Sequence, residues 1–399
     1  VTPEHGSSSP TVSDIRRQVE RSYDAYVSDL RTLVDLDCGT FVPEGVNRVA
    51  SFMQERFEAA GWQVARVHHS PGQGGEDRLG DAVIARLAGG APAGRRVLLV
   101  GHMDTVFPAG TAAERPFRVD GSLALGPGVS DMKGGLLAGL YAMTALQATG
   151  FGDFGHIAYV CNPDEEIGSP FSGPLILEQA RDADLCFVLE GARENGDIVS
   201  ARKGVTDVRV SVLGRAAHAG VEPERGRSAI LQAAHTILAL HGLNGRWVGV
   251  TVNVGQISGG IRPNVVAERC DLRVDVRVPT LAAQEEVFDE IELLLGTPVV
   301  PETRMEMIRG GGFPPMEKTE ATGKLVERAQ AIAAEVGFDL RDAATGGASD
   351  ANPVAGIGVP VLDGLGPVGG GDHAPNEWLD LTSVVPRITM LAALIASGG

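Results

Sequence analysis

Short apolar runs punctuate the first half of the chain: "DAVIARL", "RRVLLVGHMD", "HIAYVCN" and "DLCFVLEG". Each has the length of a strand buried on both faces. Between the second and third lies "GGLLAGLYAMTALQATG", a helix closed by Gly150. Helical spacing also runs over residues 12–35 and through "NRVASFMQERFEAAG", where Gly61 is the stop signal. Buried strands alternating with helices predict an α/β fold, a mixed open sheet with helices on both faces. Near residue 204 the pattern changes. "TDVRVSVLG" alternates, "RSAILQAAHTILALHG" has helical spacing, and "VGVTVNVGQ" and "AERCDLRVDVRVP" read as strands. "LAAQEEVFDEIELLLG" is a further helix and "ETRMEMIRG" a further strand. This β-α-β-β-α-β order is that of the ferredoxin-like unit. A helix over 318–336 and the stretch "GVPVLDGLG" then resume the first pattern. The expectation is a discontinuous domain, 1–203 with 312–399, carrying an inserted domain at 204–311.

Composition narrows the partners. A chain of 399 residues exceeds one compact core, in keeping with two domains. The formal net charge of −17 disfavours nucleic acid or an anionic membrane as partner, but not a small anion in a locally basic pocket. No run reaches the ~18–20 apolar residues of a membrane span. The opening stretch "VTPEHGSSSP" is polar and lacks a signal-peptide core. The cytoplasm is therefore the expected compartment. Because the first residue is not Met, a leader removed earlier is the alternative. Cys38, Cys161, Cys186 and Cys270 form no C-x-x-C pair, which argues against a zinc ribbon. The last three sit in apolar or alternating runs and read as small core residues.

The candidate chemistry lies at strand ends, where open α/β sheets gather their ligands. In "VLLVGHMDTVFP", His102 and Asp104 are two apart on extended chain and share a face. They are a metal ligand with its orienting partner, or a hydrogen-bonded polar pair. Asp131 in "GPGVSDMKGG" occupies a glycine-rich turn before a helix, as a ligand or an N-cap. Glu165 and Glu166 in "NPDEEIGS" are neighbours, and neighbours on extended chain point opposite ways, so the two acids have different jobs. Glu190 ends "FVLEGAR", and His373 lies in "GGGDHAPNEW". Each bland reading is plausible singly; six such residues at one edge of a sheet are far less so. Two imidazoles and several carboxylates suit zinc, with cobalt or manganese as substitutes. The ligands outnumber the needs of one tetrahedral zinc and suit two ions sharing a carboxylate. Their scatter along the chain points to a catalytic rather than a structural site.

The motifs "GHMDTV", "GVSDMKGG", "NPDEEIGS", "LEG" and "GDHAPNE" resemble those of the M20 metallopeptidase family, in particular its glutamate carboxypeptidase (carboxypeptidase G) branch. The resemblance implies that His102, Asp131 and Glu190 hold one zinc and that Asp131, Glu166 and His373 hold the other, with Asp131 bridging. It implies Glu165 as general base, Asp104 as orienting residue, and a cis peptide after Asp131. It implies that His218, in "GRAAHAGVEPERG", reaches across a homodimer formed by the inserted domains, and that Asn264 and Arg309 bind a substrate carboxylate. A guanidinium fork suits that last task. Lys203, near the expected hinge, is a further anion-binding candidate, and the role of Asp350 in "GGASDANPV" stays open. In the family, glutamate at the position of Glu190 accompanies carboxypeptidases and N-acyl-amino-acid hydrolases. The expected enzyme is thus a zinc-dependent amide hydrolase. It would release a C-terminal amino acid, glutamate or another anionic residue, from N-acyl or peptidyl substrates. An N-acyl-amino-acid or N-carbamoyl deacylase is the rival within the family. A binding protein on a degenerate scaffold is the rival outside it, and an intact Glu165 argues against that.

Overall fold

The structure, a computed structural model, describes residues 10–70 and 78–397. Apart from Pro10, the polar opening stretch lies outside the described residues. Two compact units emerge. One comprises the described residues up to Ser200, Lys318–Ala344 and those from Ser349 onward; the other comprises Ala201–Glu317 with Thr345–Ala348.

The first unit is built on a six-stranded sheet. Its strands are β1 (Gln63–Val67), β2 (Ala82–Ala88), β3 (Arg96–His102), β4 (His156–Asn162), β5 (Leu185–Val188) and the two-residue Val361–Leu362. The spatial order is β1-β2-β4-β3-β5 and then Val361–Leu362. The first two pairings are antiparallel and the rest parallel, so the sheet is mixed. The central strands β3, β4 and β5 are the continuous apolar runs of the sequence, and their side chains are almost wholly buried. Helix α1 (Val12–Val34) starts at a capping box in which Thr11 and Asp14 satisfy each other's backbone N–H. Its buried positions Ile15, Val19, Tyr26, Leu30 and Leu33 make one stripe. Helix α2 (Pro43–Ala59) begins earlier than the sequence pattern showed, with Pro43 in its first turn.

Helix α3 (Gly135–Ala148) is buried nearly all round. A Cβ at Gly135 would stand 1.7 Å from the carbonyl oxygen of Leu189. Only glycine lets the start of α3 press against the strand end that leads to Glu190. The helix Leu381–Ala396, to which the sequence reading assigned no element, packs against α1 and α3. Pro386 inside it carries a local penalty, which burial of Val384, Ile388, Leu391 and Ile395 outweighs. A second, small sheet joins Gly369–Gly370, Trp378–Asp380, Leu123–Leu125 and Arg118–Asp120, in that order. It ties the loop carrying His373 to the chain just ahead of Asp131.

The second unit holds β6 (Gly204–Leu213), α4 (Ala229–His241), β7 (Thr251–Gly259), β8 (Arg269–Val278), α5 (Leu281–Gly296) and β9 (Arg304–Phe313). The strand order is β7-β8-β6-β9, antiparallel throughout, which is the ferredoxin-like arrangement. One sheet face buries Val208, Val210, Val212, Leu272, Val274 and Val276 against both helices. β9 runs on through an irregular register between Arg309 and Gly312, so the unit closes at Glu317 rather than at the expected 311. All four cysteines are buried free thiols.

Candidate metal centre

Three strand ends of the first unit supply the centre. His102 is the last residue of β3, and its register partner Asn162 is the last of β4. Glu165 and Glu166 follow in a short helical turn, Glu165–Ile167, and Glu190 lies just past β5. Asp131 precedes α3, and its peptide bond to Met132 is cis. His373 sits in the loop closed by the small sheet, with φ at 61°, uncommon for a residue other than glycine.

These side chains meet around one carboxylate. His102 Nε2 lies 3.0 Å from Asp131 Oδ1 and 3.6 Å from Glu190 Oε1. His373 Nε2 lies 3.1 Å from Asp131 Oδ2 and 3.2 Å from Glu166 Oε2. Each oxygen of Asp131 thus faces a different imidazole. Two groups result, His102 with Asp131 and Glu190, and Asp131 with Glu166 and His373. The ligand atoms in each lie within 4.8 Å of one another.

Asp104 organises the surroundings. Its backbone carbonyl lies 3.0 Å from His102 Nδ1. A carbonyl only accepts, so Nδ1 carries the proton and Nε2 is left for a ligand. The carboxylate of Asp104 accepts from the backbone N–H groups of Glu165 and Glu166 at 3.2 and 3.3 Å, and from Thr40 Oγ1 at 2.6 Å. It thereby fixes the turn that bears both glutamates. Asp350, whose role the sequence left open, ties the ends of the same segment. It accepts from Asn162 Nδ2 at 2.7 Å and from Ser169 Oγ at 2.5 Å.

The electrostatics are those of a site that wants cations. Burial alone would push the His102 pKa down, but Glu190, Asp104 and Asp131 reverse this and hold it well above its usual value. His373 is pushed up to about 9, chiefly by its hydrogen bond to Asp131. Burial works to raise Asp131, yet the two imidazoles hold it far below the carboxylate range. Burial and the Asp131 charge push Glu166 up to about 7. Burial likewise holds Glu165 well above its usual value, with Glu190 adding to the effect against His102. Protons here occupy places that a divalent ion would take. Glu166 Oε1 is buried without a hydrogen-bond partner. An orphaned carboxylate oxygen beside two imidazoles and three carboxylates fits a metal, and the N/O donor set fits zinc.

One participant escaped the sequence reading. Glu377, inside the quoted "GDHAPNE" motif, is buried and accepts three backbone N–H groups of the Asp131 loop. Nothing local in the sequence marks it, because its partner Gly128 lies 249 residues earlier in the chain.

The remaining candidates belong to the second unit. The structure brings His218 and Asn264 together there: His218 pairs with Val265, and the Ala219 N–H donates to the Asn264 carbonyl at 3.0 Å. Both side chains are exposed. Lys203 is partly buried, and its N–H donates to Thr345. Arg309 lies elsewhere in the unit, on the helix-covered face, where it donates to Glu292 at 2.6 Å and stacks 4.1 Å over the Phe288 ring. A substrate carboxylate there would have to displace Glu292.

A family model described as peptidase family M20/M25/M40 matches residues 98–397. The chain belongs to this family. Among relatives of this M20 protein, carboxypeptidase G2 of Pseudomonas sp. (strain RS-16) is 32% identical over 382 residues, 94% of this chain and 89% of that protein. N-acetyl-L-citrulline deacetylase of Xanthomonas campestris pv. campestris is 28% identical over 232 residues, 56% of this chain and 58% of that one. The crystal structure of aminopeptidase PepT from Bacillus cereus superposes with a TM-score of 0.76 at 22% identity, covering 94% of this chain and 98% of that one. At that identity the likeness shows the fold alone. The M20 protein is a hydrolytic enzyme of a metal-dependent family that acts on peptides and N-acyl amino acids. No helix among the described residues is long and apolar enough to cross a membrane.

Proposed function

We propose that this M20 enzyme hydrolyses the amide that joins an acyl or peptidyl group to a C-terminal amino acid, with glutamate first among the candidates. The observation that carries the reading is the pair of imidazoles facing opposite oxygens of Asp131, with Glu165 beside them. His102, Asp131 and Glu190 would hold one zinc, and Asp131, Glu166 and His373 a second; cobalt or manganese would substitute. When bound, two divalent cations supply Lewis acidity that acidifies water and polarises a carbonyl. Glu165 takes the proton of the attacking water and returns it to the departing amide nitrogen. Water's oxygen ends on the acyl carbon and its two protons on the products, so the step balances. Asp104 holds His102 and the Glu165 turn in register. His218, Asn264, Arg309 and Lys203 are the proposed substrate-binding groups.

Glutamate at position 190 and the likeness to carboxypeptidase G2 support a substrate with a free carboxylate. The likeness to a deacetylase keeps an N-acyl-amino-acid or N-carbamoyl deacylase as a second reading with the same chemistry. A homodimer through the second unit is also proposed. Strand β7 is a sheet edge, and Ile257 on it and Leu231 and Leu238 on α4 are exposed. The test is hydrolysis of N-acyl glutamates before chelation, after it, and after zinc is restored. Activity indifferent to the chelator removes the metal mechanism, and a panel of N-acyl and N-carbamoyl amino acids ranks the two readings.

A further inference from the structure

Glu377 takes no place among the expected ligands, yet its carboxylate is 1% exposed and fully engaged. Oε2 accepts the Gly128 N–H at 2.8 Å; Oε1 accepts those of Ser130 at 2.8 Å and Asp131 at 2.9 Å. Three N–H groups converge on one carboxylate and favour its charged form, against a burial that pushes the Glu377 pKa up to about 7. Without that carboxylate the loop would leave three buried donors unpaired. The loop has no helical ladder to satisfy them, since Gly128 has φ of 72° and Asp131 and Met132 have non-helical dihedrals. Glu377 therefore dictates the path of residues 128–131.

The same short segment carries His373. Trp378, next to Glu377, pairs with Leu125, and Gly369 fits so closely against Ser130 that a Cβ there would lie 2.3 Å from Ser130 Oγ. One piece of chain thus presents an imidazole to Asp131 Oδ2 and holds the backbone that aims Asp131. We propose that Glu377 is a positioning residue for both metal sites at once, acting through the one carboxylate they share. Glu190 and Glu166 each belong to a single group; Glu377 belongs to neither and would serve both through Asp131. The inference rests on the reading of two groups that hold divalent ions.

The test is a zinc titration of the metal-free full chain against a chromophoric chelator. It compares the unaltered protein with Glu377→Gln and Glu377→Asp. Gln keeps the shape but exchanges one acceptor for a donor that faces the Gly128 N–H. Asp keeps the negative charge but withdraws it by one methylene. Both zinc constants are expected to weaken together, by about 10- to 100-fold, the usual size for partners that orient ligands. A merely structural glutamate would lower the thermal midpoint of the metal-free protein and leave the zinc constants of the folded fraction unchanged; that result overturns the inference. So does weakening of one constant alone. An Asp variant that matches the unaltered protein would show that the charge near the ions matters and the reach does not, which also overturns it. Should a variant fail to fold, amide exchange in the unaltered metal-free protein decides. Gly128, Ser130 and Asp131 must be protected, and free exchange contradicts the clamp. If the unaltered chain binds fewer than two zinc ions, the proposed function fails instead, so the two failures are told apart.

Discussion

His102 and His373 offer the same nitrogen to the two oxygens of Asp131, from very different surroundings. The His102 side chain is 1% exposed, at the end of a central strand, with its other nitrogen against the Asp104 carbonyl. The His373 side chain is 56% exposed, in a loop closed by a small sheet. One half of the centre is anchored in the core of the fold, the other is carried by an exposed loop. The shared carboxylate joins them, so a rigid half and an accessible half must act as one site.

The largest effect should come from the residue that serves both halves in the chemistry. Glu165→Gln is expected to keep both ions and to lose on the order of 10²–10⁴ in kcat, the usual range for a general base. Near-normal turnover in that variant, measured with metal content confirmed, would remove Glu165 from its role. Next come the two imidazoles. His373→Ala should fold normally and lose the ion of the exposed half. His102→Ala should lose the other ion and also about 0.5–3 kcal/mol of stability, because it empties a packed position. Equal thermal midpoints for the two metal-free variants above pH 9, where the His373 proton no longer contributes, would erase the contrast between a buried and an exposed half.

The pH dependence sharpens the same contrast. His373 has its pKa raised from 6.5 to about 9 in the metal-free fold. Its proton therefore stabilises that fold fully below pH 6.5, and the benefit is lost as pH rises through 9. Zinc must displace this proton, so affinity at the exposed half should rise about tenfold per pH unit between about 7, where Glu166 ionises, and 9. Calorimetry in buffers of different ionisation heat would count the released protons; affinity flat between pH 7 and 9 would contradict the assignment. The smallest effect is expected at Arg309, whose guanidinium already has Glu292 and Phe288 as partners. Arg309→Ala should raise KM for substrates with a terminal carboxylate and spare their esters. An equal effect on both would make Arg309 a packing residue of the second unit.

Much of this was legible in the sequence, and for a physical reason. A parallel strand buried on both faces must be a continuous apolar run, so its end is sharply marked, and His102 and Glu190 stand at such ends. The ferredoxin-like order was legible because its strands alternate cleanly. What escaped depended on partners distant in sequence. Strand β1 is only half buried and carries no such run. Helix Leu381–Ala396 carries Pro386 in its interior, and its stability comes from packing against α1 and α3, which the sequence does not display. Glu377 looks like any surface glutamate until the fold brings the Asp131 loop to it. Arg309 looked free until α5 supplied Glu292.

The count of ions per chain tests the central claim most directly. Elemental analysis after zinc loading and exhaustive dialysis should find two zinc ions in the unaltered protein, one each in Glu190→Ala and Glu166→Ala, and none in Asp131→Ala. Two ions retained by Asp131→Ala would contradict a centre organised around that carboxylate.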